Sequence, residues 1–308
     1  MKLITRLQND LPAERLLLGE PMSRHTSFRI GGAADALFLP ATAEELTRAI
    51  AAAEDTGAPW RVLGNGTNVL VRDGGLRGLT IVLGEPMSGV RLEGRRVTAQ
   101  AGALLSRVGR EAQRAGLQGM AALSGIPGSV GGAAAMNAGA YGSEMKDVLT
   151  RVLALENGQP VWLDADALAL SYRDSLILRH GLIVLAAEFE LQGGDPDAIQ
   201  AEMADYAARR REKQPLNLPS AGSTFKRPEG HFAAKLIDDC GLRGLTVGGA
   251  QVSEKHAGFV VNVGGATARD MLELMRQIEQ RVFEQTGVQL EPEVRILGAD
   301  EQKKEESV

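Results

Sequence analysis

The sequence is poor in the residues that build disulfides, metal sites and aromatic cores. Its 308 residues include one cysteine, Cys240, and four histidines, without a CxxC or HExxH pattern. A single cysteine excludes an internal disulfide, and the scattered histidines do not match metal-ligand spacing, so we expect no metal site. Aromatic residues make up only 4% of the chain, whereas alanine and glycine are abundant. This composition favours mixed helices and strands built from small residues over a sandwich with an aromatic core.

The chain also lacks a long apolar run and a large excess of charge. No segment approaches the roughly 20 apolar residues of a membrane span, and the first residues mix charged and apolar side chains, unlike a signal peptide. The net charge of −5 gives no electrostatic reason to expect nucleic acid or an anionic membrane as a partner. We therefore expect a cytoplasmic protein, a monomer or weak homo-oligomer, with a small molecule as its partner.

Local patterns predict several helices, strands and turns. Thr42 followed by Glu45 predicts a capping box at the start of a helix. The pair at residues 157–158, Asn-Gly between two apolar runs, predicts a hairpin. Pro196 opens a predicted helix that ends in a basic cluster at residues 209–213. A length of 308 residues favours two or three domains, and we place one boundary after this helix.

Two segments rich in glycine are the strongest indications of a ligand site. Residues 124–142 are nearly all glycine and small residues, and no charge occurs until Glu144. Such a segment can turn backbone N–H groups toward a phosphate or an extended cofactor, although a close-packed turn or a flexible linker is the alternative. Residues 62–71 predict strand, tight loop and strand, which is not a Rossmann turn because Val69 and another strand follow the loop.

Motifs in four separated segments resemble one enzyme family. In chain order they are SRHTSFRIGG at residues 23–32, NGTN at 65–68, SGIPGSVGG and NAGAYG within 124–142, and EPEVRILG at 291–298. In this order they resemble the UDP-N-acetylenolpyruvoylglucosamine reductases (MurB), in the shorter class without the inserted tyrosine-bearing lid. The resemblance covers nearly the whole chain.

The resemblance implies an α+β fold with an FAD-binding region of the vanillyl-alcohol-oxidase/PCMH type and a small α+β substrate domain. The implied domains are an N-terminal extension (1–19), an FAD-binding region (20–212) with subdomains 20–85 and 86–212, a C-terminal substrate domain (213–298) and a disordered tail (299–308). The cofactor-binding residues expected on this basis are Gly64, Asn65, Gly66, Thr67, Asn68, Ser124, Gly125, Gly128, Ser129, Gly131, Asn137, Gly139 and Ala140.

The implied reaction is reduction of UDP-N-acetylglucosamine enolpyruvate to UDP-N-acetylmuramate in peptidoglycan precursor synthesis. NADPH would reduce FAD, and the flavin would deliver hydride to C3 of the substrate. Arg173, Ser223 and Glu293 match the catalytic positions of the family. Arg173 would grip the substrate carboxylate, Ser223 would protonate C2, and Glu293 would help polarise the carboxylate.

Other positions leave alternatives open. Lys213 resembles a family lysine near substrate and nicotinamide, but a basic helix end also complements the helix dipole. Arg227 and Ala234 stand where many members carry asparagine and glycine, which affects fine contacts to substrate. Two rival functions are an FAD-dependent oxidase of the same fold and a catalytically silent nucleotide-binding protein. The oxidase predicts a covalent flavin link near the loops, and the silent protein predicts loss of a catalytic residue.

Overall fold

The computed structural model describes residues 2–300 of the chain. Its α-helices are α1 Lys2–Asp10, α2 Ala43–Asp55, α3 Leu105–Arg114, α4 Ala121–Ser124, α5 Val130–Ala135, α6 Leu176–His180, α7 Pro196–Lys213, α8 Ala233–Asp239 and α9 Ala268–Thr286. Its strands are β1 Leu16–Pro21, β2 Ala33–Phe38, β3 Trp60–Leu63, β4 Val69–Val71, β5 Leu76–Val82, β6 Val90–Glu93, β7 Arg96–Gln100, β8 Leu117–Gln118, β9 Gly139–Ala140, β10 Ser143–Glu144, β11 Leu149–Glu156, β12 Gln159–Asp164, β13 Ile183–Glu190, β14 Gln192–Gly193, β15 Thr246–Val247, β16 Ala250–Val252, β17 Val260–Asn262 and β18 Arg295–Leu297.

The described residues form two compact units that alternate along the sequence. Unit 1 contains the residues up to Leu17, Phe38–Asn65 and Thr80–Arg209. Unit 2 contains Leu18–Leu37, Gly66–Leu79 and the described residues from Arg210 onward. The sequence predicts contiguous domains instead, and the bounds of those domains stay a prediction.

Unit 1 is built on an antiparallel sheet of five strands in the order β12-β11-β13-β7-β6. The central strand β13 is buried along almost its whole length, because helix α5 packs on the sheet against β13 and β7. A strand buried in this way carries a nearly continuous apolar run, here Ile183 to Phe189 with one charged residue, Glu188. Glu188 is tolerated because Arg151 donates to its carboxylate at 2.9 and 3.0 Å.

Unit 2 has an apolar core around the long helix α9. The helix begins at the cap Thr267, ends at Gly287 in the left-handed region, and packs against β15 and β16 of the antiparallel sheet β15-β16-β17. Its buried residues include Met271, Leu274 and Ile278. In the same unit, β4 pairs in parallel with β18, so Val69 lies beside Arg295 although the two are far apart in the sequence.

The predicted hairpin and helix α7 are confirmed, whereas only one of the two hydrogen bonds of the predicted capping box is present. Strands β11 and β12 form the predicted hairpin, and α7 begins and ends as predicted. At the start of α2, Thr42 accepts a hydrogen bond from the Glu45 N–H at 3.2 Å, as in a capping box. The Glu45 carboxylate, however, accepts from the Ala41 N–H and pairs with Arg15, whose charge-assisted bonds are stronger.

The last described residues are hydrogen-bonded to a turn in unit 2. Ala299 exchanges backbone hydrogen bonds with the turn at residues 74–75, while residues 301–308 of the predicted disordered tail lie outside the described part.

No helix within residues 2–300 is long and apolar enough to cross a membrane. Over the same residues, no group of three or more His, Cys, Asp or Glu side chains is placed to hold a metal ion.

Candidate active site

The short glycine loop lies between β3 and β4, as predicted, and its two ends belong to different units. In unit 1, the Asn65 amide donates to the Pro127 carbonyl at 3.0 Å. Gly64 lies against Ser129, since a Cβ atom added at Gly64 would be 2.5 Å from the Ser129 Oγ. The first two residues of the short loop therefore contact the long glycine-rich segment, and their role in binding a cofactor stays a prediction.

The remaining residues of the short loop lie in unit 2. Gly66 has a φ of 62°, and its carbonyl accepts from the Ser27 N–H at 3.1 Å. Thr67 is half-buried. Asn68 donates from its amide to the Glu293 carbonyl at 3.1 Å. A residue expected to bind cofactor thus also holds the backbone of a residue expected to be catalytic.

The long glycine-rich segment is partly helical rather than a single loop. Ser124 ends α4, Gly125 follows as its C-terminal cap, and Gly128 accepts a hydrogen bond from the Leu105 N–H before α5 begins. Gly131 lies in α5, where a Cβ atom would be 2.9 Å from the Ala101 Cβ. Close packing explains the glycine at this position, so the packing alternative holds for this part of the segment.

One buried hydroxyl in this segment fits a bound group. Ser129 is 2% exposed, and its Oγ has no hydrogen-bond partner among the described residues. A buried polar group without a partner costs about 1–3 kcal/mol, which a hydrogen bond to a ligand would remove. The hydroxyl packs closely against Gly64, where any side chain would clash with it. Gly64, Asn65 and Ser129 therefore fit the predicted cofactor, FAD.

Two other predicted cofactor ligands use their side chains within the chain. The Ser124 hydroxyl donates to the Ala121 carbonyl at 2.8 Å. The Asn137 amide donates to the Glu144 carboxylate and to the Ser171 carbonyl. Gly139 and Ala140 form β9, which pairs with β10 in a small hairpin. Their cofactor roles stay predictions.

Arg173 lies in a tight turn in unit 1. Ser171 and Asp174 exchange backbone hydrogen bonds at 3.0 and 3.3 Å, and Tyr172 and Arg173 form the tip. Arg173 has a φ of 57°, a left-handed conformation that costs energy for a residue other than glycine. Its guanidinium lies 5.1 Å from the centre of the Tyr172 ring. Strained backbone of this kind is found preferentially at functional sites.

Ser223 and Glu293 are brought together by backbone pairing in unit 2. Phe225 and Pro292 form an antiparallel bridge, and the Glu293 N–H donates to the Thr224 carbonyl at 2.8 Å. Ser223 is exposed and Glu293 is half-buried. Two residues expected to act on the same substrate thus lie on adjacent chain segments.

Lys213 and the two atypical positions have simpler surroundings. Lys213 is the exposed last residue of α7. Near this helix end, Lys255 donates to the Arg211 carbonyl. Both interpretations of Lys213 remain open, namely a residue near substrate and nicotinamide or a charge that complements the helix dipole. The Arg227 guanidinium lies 4.6 Å from the centre of the Phe232 ring. Ala234 packs against Gly258, whose carbonyl accepts from Thr224, so this position supports the Ser223 segment.

Sequence reasoning missed two features of unit 1. Tyr141 stacks on Tyr206 of α7 with ring centres 4.6 Å apart. Glu144 forms an ion pair with Lys146 at 2.7 Å, and the hydrogen bond from Lys146 is the main reason why the pKa of the Glu144 carboxyl is lowered. The sequence did carry a signal for Glu144, since it is the first charge after a long uncharged segment.

Comparison with known proteins identifies the family. A model of the C-terminal domain of UDP-N-acetylenolpyruvoylglucosamine reductase matches residues 214–297, and a model of an FAD binding domain matches residues 34–164. A UDP-N-acetylenolpyruvoylglucosamine reductase of Clostridioides difficile is 50% identical over 96% of this chain and 97% of its own length. The chain belongs to the UDP-N-acetylenolpyruvoylglucosamine reductase family.

Solved structures confirm the predicted fold class for this family member. The crystal structure of the reductase from Thermus caldophilus has a TM-score of 0.79 and 38% identity, covering 92% of this chain and 98% of that one. A berberine bridge enzyme variant aligns with a TM-score of 0.50 and 14% identity over 63% of this chain and 44% of its own, which shows a shared fold only. The roles of individual residues remain predictions.

Proposed function

We propose that this protein catalyses the NADPH-dependent, FAD-mediated reduction of UDP-N-acetylglucosamine enolpyruvate to UDP-N-acetylmuramate. The observation that carries the proposal is the full-length match, which joins an FAD-binding region and the reductase C-terminal region in one chain. The activity belongs to peptidoglycan precursor synthesis. We also propose a cytoplasmic location and a monomer or weak homo-oligomer.

The residues predicted to bind FAD would position it for a redox reaction between NADPH and the enolpyruvyl substrate. FAD, when bound, takes a hydride from NADPH and supplies one to the substrate. Gly64, Asn65 and Ser129 would hold it in unit 1, because the Ser129 hydroxyl has no hydrogen-bond partner among the described residues and Gly64 is the residue that lets this hydroxyl lie against the short loop. Asn65 is fixed by its bond to the Pro127 carbonyl, so little freedom is lost on binding.

Arg173 acts on the charge of the substrate. Reduction adds hydride at C3 of the enolpyruvyl group, and negative charge then spreads from C2 into the carboxylate. A guanidinium can bind a carboxylate through two parallel N–H donors and stays charged at any physiological pH. Because the turn fixes the backbone of Arg173 before substrate arrives, only its side chain has to adjust for its charge to stabilise the transition state.

Ser223 and Glu293 complete the proton chemistry. The carbanionic C2 is basic enough to take the proton of a positioned hydroxyl, which solvent then restores. The Ser223 segment pairs through its backbone with the segment of Glu293, and Glu293 would polarise the carboxylate through a hydrogen bond. Together the hydride at C3 and the proton at C2 convert the enolpyruvyl ether to a lactyl ether, while NADPH becomes NADP⁺.

The direct test is anaerobic oxidation of NADPH by the purified holoenzyme, with and without UDP-N-acetylglucosamine enolpyruvate. We expect oxidation only in the presence of the substrate, and Arg173→Gln should lower its rate about 10²–10³-fold. The matched control is Arg179→Gln, which removes the nearby cation paired with Asp174 and should leave the rate nearly unchanged.

Two other results would contradict the proposal. A yellow protein whose NADPH oxidation depends on oxygen, and not on the enolpyruvyl substrate, would indicate an oxidase. A colourless protein that oxidises no NADPH after incubation with FAD would indicate a nucleotide-binding protein without this activity.

A further inference from the structure

Asn137 is a buried amide whose donors are all used inside unit 1. It is 0% exposed and has a φ of 41°, in the left-handed region. Its Nδ2 donates to the Glu144 Oε2 at 3.0 Å and to the Ser171 carbonyl at 3.2 Å, and its Oδ1 accepts from the Lys146 N–H at 3.0 Å. With both N–H groups occupied, this side chain has none left to donate to a cofactor.

The bond to Ser171 ties Asn137 to the turn that carries Arg173. Ser171 is the residue that closes this turn with Asp174. On the other side of the turn, the Ser175 hydroxyl donates to the Ala135 carbonyl at 2.5 Å. Both ends of the Arg173 turn are therefore attached to the C-terminal end of α5, one to its last residue, Ala135, and the other to Asn137 just beyond it. Such double attachment can hold a left-handed arginine that an isolated turn would not keep.

Charge near the turn is arranged by the same amide. Glu144 is held by Asn137 on one side and by the Lys146 ammonium on the other. The positive charge of Arg173 also contributes, to a smaller extent, to the lowered pKa of the Glu144 carboxyl. Arg173 is thus close enough to this ion pair to interact with it electrostatically. Displacement of the turn would move the Arg173 backbone and change the charges near its side chain.

We propose that Asn137 is a positioning residue for Arg173, acting through the Ser171 carbonyl, rather than a ligand of the cofactor. This inference rests on the proposed function, because it assigns the consequence to the substrate half of the reaction. Misplacement of a catalytic group by about 1 Å can cost about 10²-fold in rate. The reduction of the flavin by NADPH does not use the substrate carboxylate and should not depend on Asn137.

The first variant is Asn137→Asp, which is nearly isosteric and keeps the acceptor for the Lys146 N–H. It removes both N–H donors and places a carboxylate opposite Glu144 and the Ser171 carbonyl. We expect reoxidation of reduced flavin by the enolpyruvyl substrate to fall about tenfold to 100-fold. Flavin reduction by NADPH and the FAD dissociation constant should stay within about threefold of the wild-type values. Calorimetry should show weaker substrate binding to the oxidised holoenzyme.

A second variant separates positioning from general stability. In Asn137→Asp combined with Glu144→Gln, the glutamine amide can donate to the new aspartate while its carbonyl accepts from Lys146. The repulsion is relieved, so the melting temperature should recover, but the bond to the Ser171 carbonyl stays absent. We therefore expect reoxidation to remain at least about tenfold below wild type. Thr150→Val is the control, because it removes a hydrogen bond to the Glu188 carbonyl in the sheet and should change neither half-reaction.

Three results would overturn the inference. Parallel loss of both half-reactions in Asn137→Asp would indicate a structural role, and selective loss of FAD binding would indicate a cofactor ligand. Recovery of reoxidation together with the melting temperature in the double variant would show that the Ser171 bond is not what matters. If wild-type enzyme lacks substrate-dependent reoxidation, the proposed function itself fails, and that outcome is seen before any variant is tested.

Discussion

The residues with predicted catalytic roles are held in place by different kinds of hydrogen bond in the two units. In unit 1, the Arg173 turn is attached through the side chains of Asn137 and Ser175. In unit 2, Ser223 and Glu293 lie on segments joined mainly through backbone groups, as in the bond from the Glu293 N–H to the Thr224 carbonyl.

This difference has consequences for how each unit responds to mutation. A side chain can be removed by a single substitution, so the position of Arg173 depends on residues that never touch the substrate. Backbone pairing survives most side-chain changes, so the Ser223 segment should keep its position when its neighbours are altered. Substitutions in unit 1 should therefore affect activity at a distance, whereas in unit 2 the effect should be confined to the reacting side chains.

The largest effect is expected from Ser223→Ala, which removes the proposed proton donor without disturbing the backbone pairing. Reoxidation of reduced flavin by substrate should fall about 10²–10⁴-fold, the usual contribution of general acid catalysis, while NADPH still reduces the flavin. Stopped-flow absorbance of the flavin measures both steps.

The neighbouring Thr224→Val is the control for this prediction. It removes the hydroxyl that accepts from the Val260 N–H, which should cost about 1 kcal/mol of stability but leave reoxidation nearly intact. Equal loss of both half-reactions in Ser223→Ala would be inconsistent with a proton donor. A large loss of reoxidation in Thr224→Val would show that backbone pairing alone does not fix this segment.

An intermediate effect is expected from Ser175→Ala in unit 1. The variant loses the bond to the Ala135 carbonyl and the cap of α6, where the hydroxyl accepts from the Leu178 N–H. Stability should fall by about 1–2 kcal/mol, and substrate-dependent reoxidation should fall several-fold because one attachment of the Arg173 turn is gone. Denaturant unfolding and stopped-flow absorbance give the two values.

The control variant for Ser175→Ala is Thr42→Ala, which removes the N-terminal cap of α2 in the same unit. Its stability loss should be of the same order, about 1 kcal/mol, with no change in reoxidation. If both variants slow reoxidation to the same extent, stability rather than the attachment of the turn explains the effect.

The smallest effect is a pH dependence carried by Glu144. Its pKa is lowered in the folded state, chiefly by the hydrogen bond from Lys146, so its charged form stabilises the fold. That contribution is fully present above the ordinary pKa of a glutamate and is lost as pH falls through the lowered folded-state pKa. The stability advantage of wild type over Glu144→Gln should therefore shrink on acidification, as melting curves across the acid range would show. An advantage that grows on acidification would contradict this account.

Local patterns were sufficient for the elements whose causes are local. The helix from Pro196 follows from a proline at its start and a basic cluster at its end, and the hairpin at residues 157–158 follows from an Asn-Gly pair, all of which act over a few residues. The long-range pairing of Val69 with Arg295 has no such local signal. For the same reason the sequence predicts contiguous domains and does not anticipate units that alternate along the chain.

At the candidate site, the residue types were easier to predict than their partners. The resemblance selects Asn137, but the direction of its amide depends on Glu144 and Ser171, which the fold brings to it. The Glu45 carboxylate shows the same limit, since Arg15 competes with the local cap. The left-handed Arg173 was also unpredictable, because non-glycine residues adopt this conformation only when their surroundings impose it.

The alternation of the two units along the chain has a consequence for biosynthesis. All residues of unit 1 precede Arg210, whereas unit 2 needs its third segment, including the strand that pairs with Val69. Ribosomes add roughly 5–20 residues per second, so Val69 waits about 11–45 seconds for its partner Arg295 to be synthesised. During that time Leu70 and Phe28, which end in the unit 2 core, lack most of that core. We expect the nascent chain to depend on chaperones mainly through these two segments.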